Sequence, residues 1–193
     1  MPADFVANAR QKLPAKLLTE WLPRLKLGGG NALDLGCGAG AEAEWLARNG
    51  FTVDAVEKNP IMAQAARERC QGLPVNVIED DFLVFNFELG KYSLVTAINS
   101  LPFIAKERCR MLLEDVQESI APGGAAILAV YGPDHAWAKR ADMSFWTKDE
   151  FAAIWHDWII HDLEEFRGEW PLVSGETIYQ HRLHLVAQKP AKN

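Results

Sequence analysis

Ala32-Leu33-Asp34-Leu35-Gly36-Cys37-Gly38-Ala39-Gly40 decides the fold: a short apolar strand with an acid near its end runs into three glycines that open onto a helix. A strand feeding a glycine turn presses bare backbone N–H groups and a helix N-terminus against a ligand, where side chains would block the approach. This points to a nucleotide-type ligand at the carboxyl edge of an α/β sheet. Glycine turns also simply join strands to helices, so the motif takes its weight from what surrounds it.

Two ligand classes compete. Gly36-x-Gly38-x-x-Ala41 satisfies the dinucleotide pattern, and Glu57 follows about where a ribose acid belongs, which would suit a nicotinamide oxidoreductase. Asp34 separates the two, because a carboxylate beside the turn repels a diphosphate but attracts the ammonium of S-adenosylmethionine, whose sulfonium is also positive. From Asp34 to Gly40 the chain resembles the first motif of class I methyltransferases. A non-catalytic S-adenosylmethionine-binding module is the alternative of another kind.

A second match lies in Val53-Asp54-Ala55-Val56-Glu57-Lys58-Asn59-Pro60, an apolar strand ending in an acid, followed by a helix start with Asn59 as cap and Pro60 in the first turn. Glu57 stands 21 positions after Gly36, fit to accept from both ribose hydroxyls. Met62, one turn on, belongs either against the adenine or in the core. Val75–Ile78 reads as a third strand running into Glu79, Asp80 and Asp81. The resemblance implies that Asp81 accepts from the adenine amino group and that Phe82 lies beside the ring, with Glu79 and Asp80 solvated. A fourth strand, Tyr92 to Ile98, ends at Asn99 and Ser100 on the ligand edge. The cofactor-binding residues implied are Asp34, Gly36, Cys37, Gly38, Gly40, Glu57, Lys58, Met62, Asp81, Phe82 and Asn99.

Ala121-Pro122-Gly123-Gly124 resembles the Pro-Gly-Gly turn before the fifth strand of this superfamily; physically it is a type II turn with φ > 0 at Gly123. Residues 41 to 48, 60 to 70 and 106 to 119 supply crossover helices. Phe82 to Lys91 is too short for a full helix and its turns, so the third crossover is abbreviated. The resemblance covers residues 31 to 130 and implies a Rossmann-like, doubly wound, mostly parallel seven-stranded sheet with a C-terminal antiparallel hairpin.

Outside that core, Leu13, Leu17, Leu18, Trp21, Leu22 and Leu25 form a helical apolar stripe between Pro14 and Pro23, ended by Gly28-Gly29-Gly30. This N-terminal segment, residues 1–30, is either a lid on the cofactor or a helix packed on the domain. After residue 130 come a loop through Tyr131, His135 and Trp137, a capping box at Thr147-Lys148-Asp149-Glu150, and two strands, Trp158 to Phe166 and Tyr179 to Gln188, joined by a loop holding Trp170. Within the family, the tellurite-resistance and thiol methyltransferases are most similar, through Ala55–Pro60, the short third crossover, and Phe145-Trp146-Thr147 leading to His156-Asp157-Trp158. Pro102-Phe103 occupies the place after the fourth strand where many relatives carry a histidine. Tyr131, His135, Trp137, Trp170 and His181 are the expected acceptor-side residues. His135 and His181 are the base candidates should the acceptor carry a proton. Trp155 and Trp158 read as packing, with Trp158 and His184 facing inward.

The 193 residues suit one domain, and a net charge of −6 with interspersed signs offers no field for a polyanion, so nucleic acid is not expected as a partner. Ser100-Leu101-Pro102-Phe103 is a degenerate form of the Pro-Pro-aromatic motif of amino-methyltransferases, broken at Leu101. The three cysteines lack metal-ligand spacing and fit a reducing compartment, so no metal is expected. No signal peptide precedes Asp4 and no apolar run approaches bilayer length, which implies a cytoplasmic protein with a small-molecule substrate.

Overall fold

Gly30–Leu35 forms strand β1, buried on both faces: Leu33 and Leu35 pack into one core layer and Ala32 into the other. Such strands read as unbroken apolar runs because helices cover both sides of a parallel sheet. The computed structural model describes residues 3–172 and 174–191; residues 1, 2, 173, 192 and 193 of the expected 1–193 span lie outside the described residues. Beside β1 lie β2 (Phe51–Val56) and β3 (Val75–Ile78) on one flank, and β4 (Tyr92–Ala97), β5 (Ile120–Tyr131), β7 (Thr177–Gln188) and β6 (Ile159–Pro171) on the other. The order is β3-β2-β1-β4-β5-β7-β6, with β7 antiparallel to both neighbours and the other pairings parallel. Order reverses between β1 and β4, which places the ligand crevice at their carboxyl ends.

Helices α3 (Ala41–Arg48), α4 (Pro60–Arg69) and α5 (Lys106–Ser119) fall where the sequence puts them. Asn59 caps α4 by accepting from Ile61 and Met62 N–H, and Thr147 and Glu150 close the capping box of α6 (Lys148–Ile154). Between β3 and β4 no helix forms among the described residues. On one face α5 and α6 cover Leu35, Leu113, Val130, Trp146, Phe151 and Trp155; on the other α2 (Lys16–Leu25) and α3 cover Ala32, Leu18, Leu46 and Ile127. Trp158 stands edge-on to Trp155 with centroids 5.0 Å apart, and His184 packs on Phe166 at 4.7 Å. No helix of the described residues is long and apolar enough to cross a membrane.

Four expectations need correction. Leu13 is 78% exposed and lies off the stripe, in the linker between α1 (Ala3–Gln11) and α2, while Pro23 sits inside α2 rather than bounding it. Ala121–Gly124 is absorbed into β5 as a bulge opposite Tyr92–Leu94, because Gly123 N–H donates to Lys189 O and Gly124 O accepts from Lys189 N–H, so the ladder to the end of β7 continues; Gly123 does adopt φ 80°. β6 runs five residues beyond Phe166, to Pro171, pairing Glu169 with Tyr179 and Trp170 with Ile178. Trp170 is therefore a strand residue and not a loop residue.

Candidate functional site

The glycine turn is pulled across the sheet edge by Gly36 and Cys37 N–H, which donate to Val56 O at 2.8 and 3.1 Å. Gly36 (φ 73°) needs its glycine twice over, since a Cβ there would collide with Ser100. Gly40 (φ 81°) caps α3, and a Cβ on it would crowd Ala66 and Cys70. The turn opens on a cavity of about 310 Å³ lined by Asp34, Gly36, Cys37, Gly38, Glu57, Lys58, Met62, Asp81, Phe82 and Asn99. Ten of the eleven expected cofactor residues thus come together; Gly40 stands behind them and shapes the turn.

The carboxylates divide the work. Glu57 Oε2 accepts from Gly38 N–H at 3.0 Å and Oε1 from Asn59 N–H at 2.8 Å, so the acid braces the glycine turn and the α4 cap at once. A carboxylate has about four acceptor positions, which leaves each oxygen able to take one more donor. Asp34, 2% exposed, accepts from Thr96 Oγ1 at 2.9 Å through Oδ1, while its Oδ2 is buried without a partner among the described residues. Burial, and then the neighbouring Glu42 charge, push its carboxyl up to about 7. Glu42 in turn accepts from Ala15 N–H at 3.2 Å and Lys12 Nζ at 3.4 Å. Asp81 Oδ1 caps its own turn by accepting from Leu83 N–H at 3.0 Å, and Oδ2 lies 3.7 Å from Lys58 Nζ. Burial first, then Asp34 and Glu57, raises the Cys37 thiol well above its ordinary value, so it is protonated and no nucleophile. Among the described residues no cluster of three metal-ligating side chains occurs.

Beyond β4 the chain makes a 3₁₀ turn, Leu101–Phe103, whose Leu101 is fully buried, so the position that breaks the amino-transfer motif belongs to the core. Phe103, half-exposed, lines the cavity and faces Tyr131 and Trp137, with centroids 6.4 and 6.2 Å away. His135 stacks on Tyr131 at 4.0 Å; its Nδ1 accepts from Trp137 N–H at 3.1 Å, and its Nε2 is buried without a partner. Burial, then Arg182 and His181, lower the His135 imidazole to about 4. Tyr131, His135 and Trp137 therefore form one aromatic group adjoining the cavity. His181 and Trp170 do not join it. His181 is fully buried, its Nδ1 accepting from Asp134 N–H at 3.1 Å and its Nε2 2.7 Å from Glu165 Oε1, and Trp170 lies far along the hairpin beside Gln180.

A methyltransferase domain model matches residues 32–124. A carboxy-S-adenosyl-L-methionine synthase of Pseudomonas fluorescens is 38% identical over 109 residues, a match covering 50% of this chain and 43% of that protein's length. The chain therefore spans less than half of the curated relatives it matches. TehB of Haemophilus influenzae superposes with a TM-score of 0.78 at 18% identity over 91% of this chain and 62% of its own. For an S-adenosylmethionine-dependent methyltransferase fold from Listeria monocytogenes, described as putative in function, the values are 0.72, 16%, 95% and 97%. Residues 32–124 thus carry the match to a methyltransferase domain, and the chain has the fold of S-adenosylmethionine-dependent methyltransferases.

The sequence reading left the N-terminal segment as either a lid or a packed helix and named none of its residues that line the cavity. Phe5 and Ala9 of α1, Lys12 just after it and Glu42 of α3 all line the cavity. Arg69 Nη1 donates to Lys12 O at 3.0 Å, and Arg10 pairs with Glu68 at 2.6 Å, which fixes the end of α1 to α4. The available signal was Phe5, Val6 and Ala9 at helical spacing, but nothing local says which surface that stripe meets.

Proposed function

We propose that this protein is a methyltransferase that moves the methyl group of S-adenosylmethionine to a small acceptor with a soft nucleophile, a thiol or a chalcogen oxyanion, in the cytoplasm. The observation that carries the cofactor half is Asp34 Oδ2, a buried acceptor without a partner on the cavity wall. An ammonium supplies the donor this atom lacks, and its charge favours the ionised carboxylate. Glu42 adds a second negative charge there, and Lys12, whose 3.4 Å contact with Glu42 is long, is placed to turn to the cofactor's carboxylate. Glu57 keeps acceptor positions for the ribose hydroxyls, Asp81 takes the adenine amino group, and Met62 and Phe82 flank the ring.

S-adenosylmethionine supplies a methyl already activated by its sulfonium. The chain's own contribution is to hold both reactants in line and keep water out, and well-oriented reactants gain up to about 7 to 11 kcal/mol. A soft acceptor fits a site without a strong base: the His181 nitrogens are engaged by Asp134 N–H of the loop after β5 and by Glu165 of β6, and burial leaves His135 a weak base with a value of about 4. The acidic chain, with a net charge of −6, lacks the basic footprint that nucleic acids need.

Calorimetry with S-adenosylmethionine, S-adenosylhomocysteine and NAD tests the cofactor, and S-adenosylhomocysteine release with a panel of thiols, selenite and tellurite tests the acceptor. Binding of NAD alone refutes the first; turnover only with amines or hydroxyls refutes the second. Submicromolar binding of fluorescent oligonucleotides at physiological salt would overturn the small-molecule reading.

A further inference from the structure

Among the described residues, one cation on the acceptor side has no carboxylate counter-charge. Arg182 sits on β7, paired in register with Tyr131 of β5 and Phe166 of β6, so its side chain shares their face of the sheet. Its guanidinium is half-buried, and among the described residues its hydrogen bond runs from Nε to the neutral Gln180 Oε1, at 2.6 Å. No carboxylate of the described residues pairs with it, whereas Arg10, Arg48, Arg67, Arg69, Arg140 and Arg167 each have one. Its histidine neighbours supply no negative charge: His135 and His184 are both lowered to about 4, by burial and by Arg182 itself. A guanidinium withdrawn from water is costly unless an anion meets it, and its planar fork matches a carboxylate bidentately.

The ground between Arg182 and the cavity is aromatic. Tyr131 lies beside Arg182, Phe103 faces Tyr131, and Phe103 is itself a cavity wall. Trp137 closes the group from the loop above, 6.2 Å from Phe103 and 6.3 Å from Tyr131. The unpartnered Nε2 of His135, stacked on Tyr131, is a donor in its neutral tautomer because Nδ1 accepts from Trp137 N–H. Tyr131 is buried under the stacked His135, so a flat apolar body lies over Phe103 and Trp137, the rings of the group with open surface, with its reacting atom at Phe103 and a carboxylate at the far end.

We infer that the methyl acceptor is a small planar organic carboxylate, held by Arg182 at its carboxylate and by Phe103 and Trp137 along its body, with Tyr131 packed behind them. This rests on the methyltransferase reading above and narrows its acceptor class: the soft nucleophile is carried by an aromatic or conjugated acid rather than being a bare inorganic oxyanion.

The test needs no turnover, so it stands apart from that reading. Protein saturated with S-adenosylhomocysteine is titrated calorimetrically with benzoate and with benzamide, a neutral molecule of the same shape. Benzoate is expected to bind tenfold or more tightly than benzamide, as one desolvated charge-assisted contact supplies. Arg182→Gln is expected to abolish the preference with S-adenosylhomocysteine affinity unchanged. Arg182→Lys, which keeps the charge and guards against a folding defect, is expected to retain part of it. Phe103→Leu weakens both ligands alike. Equal binding of benzoate and benzamide by the wild type, a preference that survives Arg182→Gln, or binding of selenite with none of benzoate overturns the proposal. Failure to bind S-adenosylhomocysteine in the first step overturns the methyltransferase reading instead.

Discussion

Asp34→Asn is expected to stabilise the ligand-free protein and weaken cofactor binding, two effects of opposite sign from one atom. The wild-type carboxyl is raised to about 7 in the folded chain from an ordinary 3.8, chiefly by burial and then by Glu42. Between those two values the folded state binds more protons than the unfolded one, so stability from this group is full below about pH 4, declines as pH rises towards 7, and is flat beyond. At 1.36 kcal/mol per pH unit the whole loss is about 4 kcal/mol. Asparagine cannot ionise, and its Oδ1 can keep the Thr96 hydroxyl that Asp34 Oδ1 now accepts at 2.9 Å. The variant should therefore match the wild type near pH 4 and exceed it by up to about 4 kcal/mol at pH 8, some 8 to 16 °C in a chain of this size. Cofactor affinity should move the other way. Replacing an ionic partner of the ammonium by an amide loses roughly 10- to 150-fold at pH 8. In the wild type, binding should release a proton near neutrality and tighten as pH rises through about 7, because only ionised Asp34 serves the ammonium. Scanning calorimetry across pH and titrations in buffers of differing ionisation enthalpy measure both halves. An asparagine variant that melts lower than the wild type at pH 8 and binds the cofactor equally well would refute the reasoning, leaving Asp34 a structural acid.

Glu57→Ala removes the acceptor for Gly38 and Asn59 N–H as well as for the ribose, so apo stability should fall by about 2 to 4 kcal/mol alongside a roughly 30- to 1,000-fold loss of affinity. Glu57→Gln should lose less of both; thermal melts with and without S-adenosylhomocysteine separate the two effects. His181→Ala should lower stability by about 2 to 3 kcal/mol, because Asp134 N–H and Glu165 lose a buried partner, while kcat with saturating acceptor stays within about threefold; a collapse of kcat would restore His181 as a base. His135→Ala should raise acceptor KM more than it lowers kcat, and the wild-type kcat should show no imidazole limb between pH 5 and 8, since His135 gains its proton only near pH 4.

The convergence of the glycine turn, Glu57 and the α4 cap on one cavity is legible in the sequence because its signals are local. Gly36, Gly38 and Gly40 need positive φ within a few residues of one another, and Glu57 ends a strand whose neighbour Asn59 caps the next helix, so the turn, the acid and the helix start are written side by side. The acceptor side is written across distances. His181, near the start of the last strand, reads as a base candidate, but its place is fixed by Asp134 and Glu165, 47 and 16 residues away, and its ring fills the space next to Gly132 where any side chain would stand. Trp170 looked available because Pro171 and Gly175 suggested a loop, yet the ladder to β7 carries the strand through it to Pro171. Arg182 shows the same limit most clearly. In the sequence Gln180-His181-Arg182-Leu183-His184 is an ordinary alternation with an arginine in it, and nothing there says whether that arginine has a partner. Its neighbours, Tyr131 and Phe166, arrive by register from two other strands, and a charge's need for an anion is set by what those strands do not bring. Motifs record what a site has built next to itself in the chain; unmet charge is a property of the assembled sheet, and it is there that the acceptor leaves its imprint.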